Sequence, residues 1–296
     1  MINKFIPPSY DVVFKAIFGK ASNKPLLASL LSSVLNLPTE ELMDLEILNS
    51  ELPVSRVDEK NARLDLRIRL QSGVEIDVEI QVISHNAYVA RILSYWAKLY
   101  LGNLEVGGDY DKLKKCIIVN IIGFNLFDFH DMHSKFHIRS DSDGQLLTEH
   151  LEIHFIELSK LDKYNKDIEN PLLCEWVEFL GLKSEVDMEN LRDRKDLPEQ
   201  IRRAIDELEE LKKDPNMRYE AINKDMYIRD YFQGMNDAKK EGNIQGKIEG
   251  KIEGKIEGKI EGKIEVVKNL LIKGYSTEEI AEITGLSDDE INALKI

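Results

Sequence analysis

The stretch Leu64-Asp65-Leu66-Arg67-Ile68-Arg69-Leu70-Gln71-Ser72-Gly73-Val74-Glu75-Ile76-Asp77-Val78-Glu79-Ile80-Gln81-Val82 decides the fold. Before Gln71 it alternates strictly, with Leu64, Leu66, Ile68 and Leu70 on one face and Asp65, Arg67 and Arg69 on the other. After Gly73 the alternation resumes, with Val74, Ile76, Val78, Ile80 and Val82 inward and Glu75, Asp77, Glu79 and Gln81 outward. A period of two is that of a strand, so the stretch predicts two strands of a hairpin. A three-residue loop needs one left-handed residue, which Gly73 supplies, and Leu70 then pairs with Val74.

That register places Arg69 opposite Glu75 and Arg67 opposite Asp77, complementary pairs that need no functional explanation. The next pair is Asp65 opposite Glu79. Two carboxylates about 5 Å apart repel by about 3 kcal/mol at an effective dielectric near 20, unless a proton or cation lies between them. One oxygen from each, a strand carbonyl and water would form the oxygen-only shell that Mg²⁺ or Mn²⁺ prefers. Gln81 points to the same face, where its amide could orient a water or hold a phosphate oxygen. The spacing also fits a plain alternative, a solvated face whose acidic pair is neutralised by Lys or Arg from a neighbouring strand, and a slip of register would remove the pairing.

Outward from the hairpin, Asp11 to Phe18 and Pro25 to Leu35 read as helices, as does Ala87 to Leu104 with Tyr88, Arg91, Tyr95, Lys98 and Tyr100. Cys116 to Ile122 is a short β-branched run suited to a strand buried on both faces, and Leu151 to Leu158 is a weaker strand. Beyond about residue 165 the pattern is helical and charged. The expected organisation is an α/β domain over 1–165, a helical region over 166–242, a spacer over 243–265 and a small helix-turn-helix-like tail over 266–296. In the spacer, the Gly-Lys-Ile-Glu repeat makes a poor helix, with Gly every fourth residue and like charges at every i,i+4 pair, yet helices flank it. A frayed helix or semi-flexible spacer is expected, with a strand as the other reading. Ser276-Thr277-Glu278-Glu279 and Ser287-Asp288-Asp289-Glu290 are capping boxes that open the two tail helices.

Composition narrows the function classes. Forty Lys and Arg against 54 Asp and Glu leave a net charge of −14, so the surface as a whole repels phosphate and any nucleic-acid contact needs a local basic patch. Hydrophobic residues make up 43% of the chain, enough to build a core and exclude wholesale disorder. Cys116 and Cys174 have neither metal-ligand nor disulfide-framework spacing. With no signal pattern at Met1 to Tyr10 and no long apolar run, a cytoplasmic protein without a membrane span is expected. His130, His133 and His137 lie among Phe127, Phe129 and Phe136 without a fourth ligand and read as a structural loop or strand rather than a zinc site. The second tail helix opens with acidic residues, the wrong sign for approaching phosphate, so the tail is expected to bind protein rather than read DNA. The regularly spaced Ile of residues 216–296 suggest association between chains.

The string Arg63-Leu64-Asp65, then Asp77-Val78-Glu79-Ile80-Gln81, then Tyr88-Val89-Ala90-Arg91 with Tyr95 four residues on, resembles the Rpn family of recombination-promoting nucleases and putative transposases, within the PD-(D/E)XK nuclease superfamily. Asp11-Val12-Val13-Phe14-Lys15-Ala16-Ile17-Phe18-Gly19 resembles that family's first helix, and the repetitive tail is typical of its members. The resemblance spans most of residues 8 to 160. It implies a mixed β-sheet flanked by helices, Asp65 and Glu79 as ligands of Mg²⁺ (or Mn²⁺ or Ca²⁺), and Asp11 near the metal, completing the acidic site. It puts Gln81 where the superfamily usually has Lys. Gln can neither act as a base nor carry charge, so activation of water falls to the metal. The implied activity is metal-dependent hydrolysis of a DNA phosphodiester, with Arg91 and Lys98 against the backbone, although solvated helix charges explain these two equally well. The rival reading is an inactive nuclease fold that serves as a DNA-binding or protein-interaction module.

Overall fold

The computed structural model describes residues 5–49, 65–84, 86–104, 108–163 and 170–294. Arg63 and Leu64 lie outside them. The described chain forms two compact units, Met1–Ile228 and Arg229–Ile296.

In the first unit, α1 (Asp11–Phe18), α2 (Lys24–Leu35) and α3 (Thr39–Leu42) precede β1 (Glu46–Leu48), β2 (Leu66–Arg69) and β3 (Glu75–Gln81). Then come α4 (Tyr88–Gly102), β4 (Cys116–Ile122), β5 (His133–Phe136), β6 (Leu151–Glu157), α5 (Pro171–Leu180), α6 (Glu185–Arg192) and α7 (Glu199–Lys213). One six-stranded sheet runs in the order β1-β2-β3-β4-β6-β5. Strands β1 to β3 pair antiparallel, β3-β4 and β4-β6 parallel, and β5 runs antiparallel to β6. The parallel step from β3 to β4 requires a crossover, which α4 provides. This is the mixed sheet flanked by helices expected of a PD-(D/E)XK-like α/β fold.

The hairpin has the predicted register: Leu66 pairs with Val78, Arg67 with Asp77, Ile68 with Ile76 and Arg69 with Glu75. Gly73 takes φ +84°, its N–H donates to Leu70 O, and Leu70 N–H donates to Val74 O. A side chain at that φ would be strained.

The outward face of β3 does not face water. Glu75 and Asp77 are fully buried and Glu79 is 6% exposed. The cause is position within the sheet. β3 lies between β2 and β4, and residues paired in register share a face, so Asp77 lies beside Ile118 and Glu79 beside Asn120. Helix α4 covers that face: Tyr88 and Ile92 pack with Ile118, Ile122, Ile153 and Phe155, and Leu99 packs with Cys116.

The helices that follow β6, from α5 to α7, belong to the same compact unit as the sheet. Trp176 of α5 donates to Ser29 Oγ of α2 at 3.2 Å and packs on Phe18 of α1. Lys20 pairs with Glu207 of α7 at 2.8 Å. Cys116 and Cys174 are buried and not joined in a disulfide.

The second unit holds most of α8 (Pro215–Ile272), followed by α9 (Thr277–Thr284) and α10 (Asp288–Asn292). The repeat therefore lies within continuous helix, which sets aside the strand alternative. Both capping boxes form, Gly285 closes α9 at φ +69°, and Val267, Ile280 and Ile291 make a small core. No helix among the described residues is long and apolar enough to cross a membrane.

Candidate active site

Asp65 and Glu79 meet where β2 begins, toward the carboxyl end of β3. Asp65 N–H donates to Glu79 Oε1 at 3.0 Å, and Ile80 N–H donates to Asp65 Oδ2 at 2.9 Å. Each carboxylate thus accepts a backbone donor from the other's strand, which fixes both side chains. Sequence-distant carboxylates come together because the Gly73 loop sets the register.

Of the two predicted Arg-carboxylate pairs, Arg69 with Glu75 forms and Arg67 with Asp77 does not. Arg67 Nη2 lies 2.8 Å from Glu75 Oε2, and Arg69 Nη2 lies 2.8 Å from Glu75 Oε1. Glu75 takes both guanidinium groups, and Asp77, opposite Arg67 in the backbone register, takes neither. Neither Asp77 oxygen has a hydrogen-bond partner among the described residues, although the side chain is wholly buried. Burial, then the neighbouring Glu79 and Asp65 charges, push its carboxyl well above the usual carboxylate range. Burial, then Asp65, push Glu79 up to about 8, against the Asp65 N–H bond and the Arg91 and Lys15 charges.

Lys15 is the functional side chain that the sequence reading did not single out. Its Nζ lies 2.7 Å from Asp65 Oδ1. The cation that partly neutralises the acidic pair comes from α1 rather than from a neighbouring strand. Asp11, one turn earlier on α1, has an ion-pair partner in Lys224 of α8, 2.9 Å away.

Arg91 on α4 reaches the site from above the sheet. Its Nη2 donates to Gln81 Oε1 at 3.5 Å, and its guanidinium lies 5.0 Å from the centre of the Tyr88 ring and 5.8 Å from that of Tyr95. Arg91 Nε is buried without a hydrogen-bond partner among the described residues. Tyr88 donates to Asn120 Oδ1, beside Glu79, and its hydroxyl pKa is raised by burial. Lys98 lies two turns further along α4 and is half-buried.

The histidines occupy the opposite face of the sheet. His133 Nε2 and His154 Nδ1 are 2.8 Å apart, His154 Nε2 bonds Glu152 Oε1, and His137 Nε2 bonds Glu152 Oε2, which Lys115 also holds. Each of these rings has an internal partner, whereas His130 is exposed.

A match to the model of the PD-(D/E)XK nuclease family transposases runs over residues 8–238 and takes in the hairpin, α4 and the start of α8. The chain belongs to that family. No curated protein and no solved structure matches it. Within a PD-(D/E)XK nuclease family transposase, the paired carboxylates at the β2-β3 hairpin are the natural place to look for a divalent cation. The donor set fits one: hard oxygen atoms of Asp65 and Glu79, held together by backbone bonds, with the buried Asp77 carboxyl adjoining and Lys15 paired with Asp65. Among the described residues no three His, Cys, Asp or Glu side chains converge as a metal-binding group, so a cation held by Asp65 and Glu79 would take the rest of its shell from backbone and water.

Proposed function

We propose that this protein is a metal-dependent DNA endonuclease of the recombination-promoting type, in which Asp65 and Glu79 hold Mg²⁺, Mn²⁺ or Ca²⁺. The observation that carries the reading is the fixed juxtaposition of the two carboxylates through reciprocal backbone bonds. A divalent cation there supplies Lewis acidity, making water a nucleophile at neutral pH and offsetting charge on the scissile phosphate. The chain supplies the rest. Gln81, held by Arg91, orients water or a phosphate oxygen, and Asp11 lies on the same helix as Lys15 with its charge balanced by Lys224. Arg91 and Lys98 on α4 meet the DNA backbone, giving weak binding because a chain of charge −14 neutralises few phosphates. Cys116 and Cys174, buried and not joined in a disulfide, suit the reducing cytoplasm.

One contact favours a second reading. Lys15 sits on Asp65, so a non-catalytic DNA-binding or protein-interaction module would keep this fold with its site closed by a protein cation.

The deciding experiment is nicking of supercoiled plasmid in low salt with Mg²⁺, Mn²⁺, Ca²⁺ or EDTA, alongside folded Asp65→Ala and Glu79→Ala variants. Metal-dependent cutting lost in both variants is the expected result. No cutting with any metal selects the module, and cutting that survives both substitutions moves the active site elsewhere.

A further inference from the structure

The whole chain has a net charge of −14, yet residues 12–39 hold Lys15, Lys20 and Lys24 and no acidic residue. This basic stretch runs beside the acidic pair. Lys15 reaches Asp65 from α1, and a Cβ at Gly19, which closes that helix, would stand 3.3 Å from Leu66 Cδ2 at the first residue of β2. Lys20 follows Gly19 directly, in extended backbone, and one 3₁₀ turn over Ala21–Asn23 leads to Lys24. Helical rise and one extended residue keep Lys24 within about 20 Å of Lys15.

The fold itself makes little use of these charges. Lys20 has a side chain 44% exposed, and its partner Glu207 lies four residues from Arg203 on one face of α7, so the three together remain positive. Lys24 opens α2, where a cation opposes the helix dipole and no acidic residue in the first turn offsets it. Ala21 and Ser22, between the two lysines, are exposed. On the α4 side of the acidic pair, Arg91 is already engaged by Gln81 and by the rings of Tyr88 and Tyr95. A grip on a polyanion therefore needs cations from elsewhere.

We propose that the α1–α2 junction, through Lys20 and Lys24, receives the phosphate backbone of duplex DNA and lays it across the Asp65–Glu79 pair. The inference rests on the endonuclease reading and supplies the local basic patch that so acidic a chain requires. Sign and place select the partner. Lysine meets phosphate as a point charge, so the contact fixes where the duplex lies and is blind to its sequence.

Fluorescence anisotropy of a short labelled duplex, in EDTA so that binding is read apart from cutting, tests this. Each neutralised phosphate contributes about −0.9 to the slope of log K against log salt, so Lys20→Gln with Lys24→Gln is expected to flatten the slope by about 2 and to weaken binding at least ~10-fold in low salt. Lys112→Gln with Lys114→Gln removes the same charge from two exposed lysines just before β4, beside the Gly73 loop at the other end of β3, and is expected to leave the slope unchanged. A slope unaltered by the first pair, or an equal change from both pairs, overturns the proposal. A parent protein that binds no duplex overturns it together with the endonuclease reading. The expected slopes without nicking of plasmid uphold this surface and fail only the catalytic reading.

Discussion

Lys15 Nζ of α1 lies 2.7 Å from Asp65 Oδ1, on the carboxylate that faces Glu79. An ammonium and a divalent cation compete for the same oxygen, and the loser determines how tightly the site binds metal. Replacing Lys15 by Met keeps the apolar stem and removes the charge. The metal-free protein is expected to lose about 1–3 kcal/mol, because three neighbouring carboxyls then lack their nearest cation. Mn²⁺ affinity is expected to rise several-fold. Chemical denaturation without metal and calorimetric titration with Mn²⁺ check the two halves, and unchanged affinity shows that Lys15 does not compete.

Glu75 is fully buried and receives both Arg67 and Arg69. A carboxylate bound at both oxygens anchors the hairpin to the sheet, and its loss strands Arg67, which is largely buried. Glu75→Ala is expected to cost about 3 kcal/mol, measured by urea unfolding, whereas Arg69→Ala, at the half-exposed partner, costs about 1 kcal/mol or less. Equal losses would contradict this division of labour.

Much of this arrangement was legible in the chain. Strict alternation around Gly73 specified the hairpin, its register and hence the meeting of Asp65 with Glu79. Alternation reports which face is polar, not whether that face is covered, so the acidic face of β3 read as solvent-facing although α4 buries it. The Arg67-Asp77 pairing failed for a related reason. Register places backbones opposite each other, but a long guanidinium reaches diagonally, and here it reached Glu75. Lys15 left a faint signal: it and Asp11 are the two charged residues of α1, four apart and so on one face. Glu152 and His154 were hidden in a weak strand because their partners, His133 and His137, come from distant sequence.

Glu79 couples the site to pH. Its folded-state pKa is pushed up to about 8 by burial and Asp65, against an ordinary value of 4.5. Between those values the folded protein holds a proton that the unfolded chain has released, so stability falls as pH rises through this window. Glu79→Gln can still accept from Asp65 N–H and is expected to flatten that fall, stabilising the metal-free protein at pH 8 by on the order of 3 kcal/mol. Binding of Mg²⁺ favours the charged carboxylate and releases the proton, so added Mg²⁺ should raise the melting temperature more at pH 8.5 than at pH 6. Melting curves of both proteins with and without Mg²⁺ read this directly, and parallel pH profiles for the two would exclude Glu79 as the titrating group.

The opposite face of the sheet has the reverse dependence. Burial, then the adjacent His154, lower the pKa of His133 to about 4 from an ordinary 6.5, and burial also lowers His154 despite its bond to Glu152. Between pH 6.5 and 4 the unfolded chain binds a proton that folded His133 refuses. Stability is therefore fully present above pH 6.5 and is lost on acidification, by up to about 3 kcal/mol for this ring. His133 pairs with Ile156 in the ladder that attaches β5 to the edge of the sheet, so β5 should be the first strand to open in acid. Hydrogen exchange at pH 7 and pH 4.5 tests this: residues 133–136 should lose protection at the lower pH while β3 and β4 keep theirs. His133→Gln, which cannot be protonated, should keep β5 protected at pH 4.5. Loss of protection there in the variant as in the parent would place the acid sensitivity elsewhere.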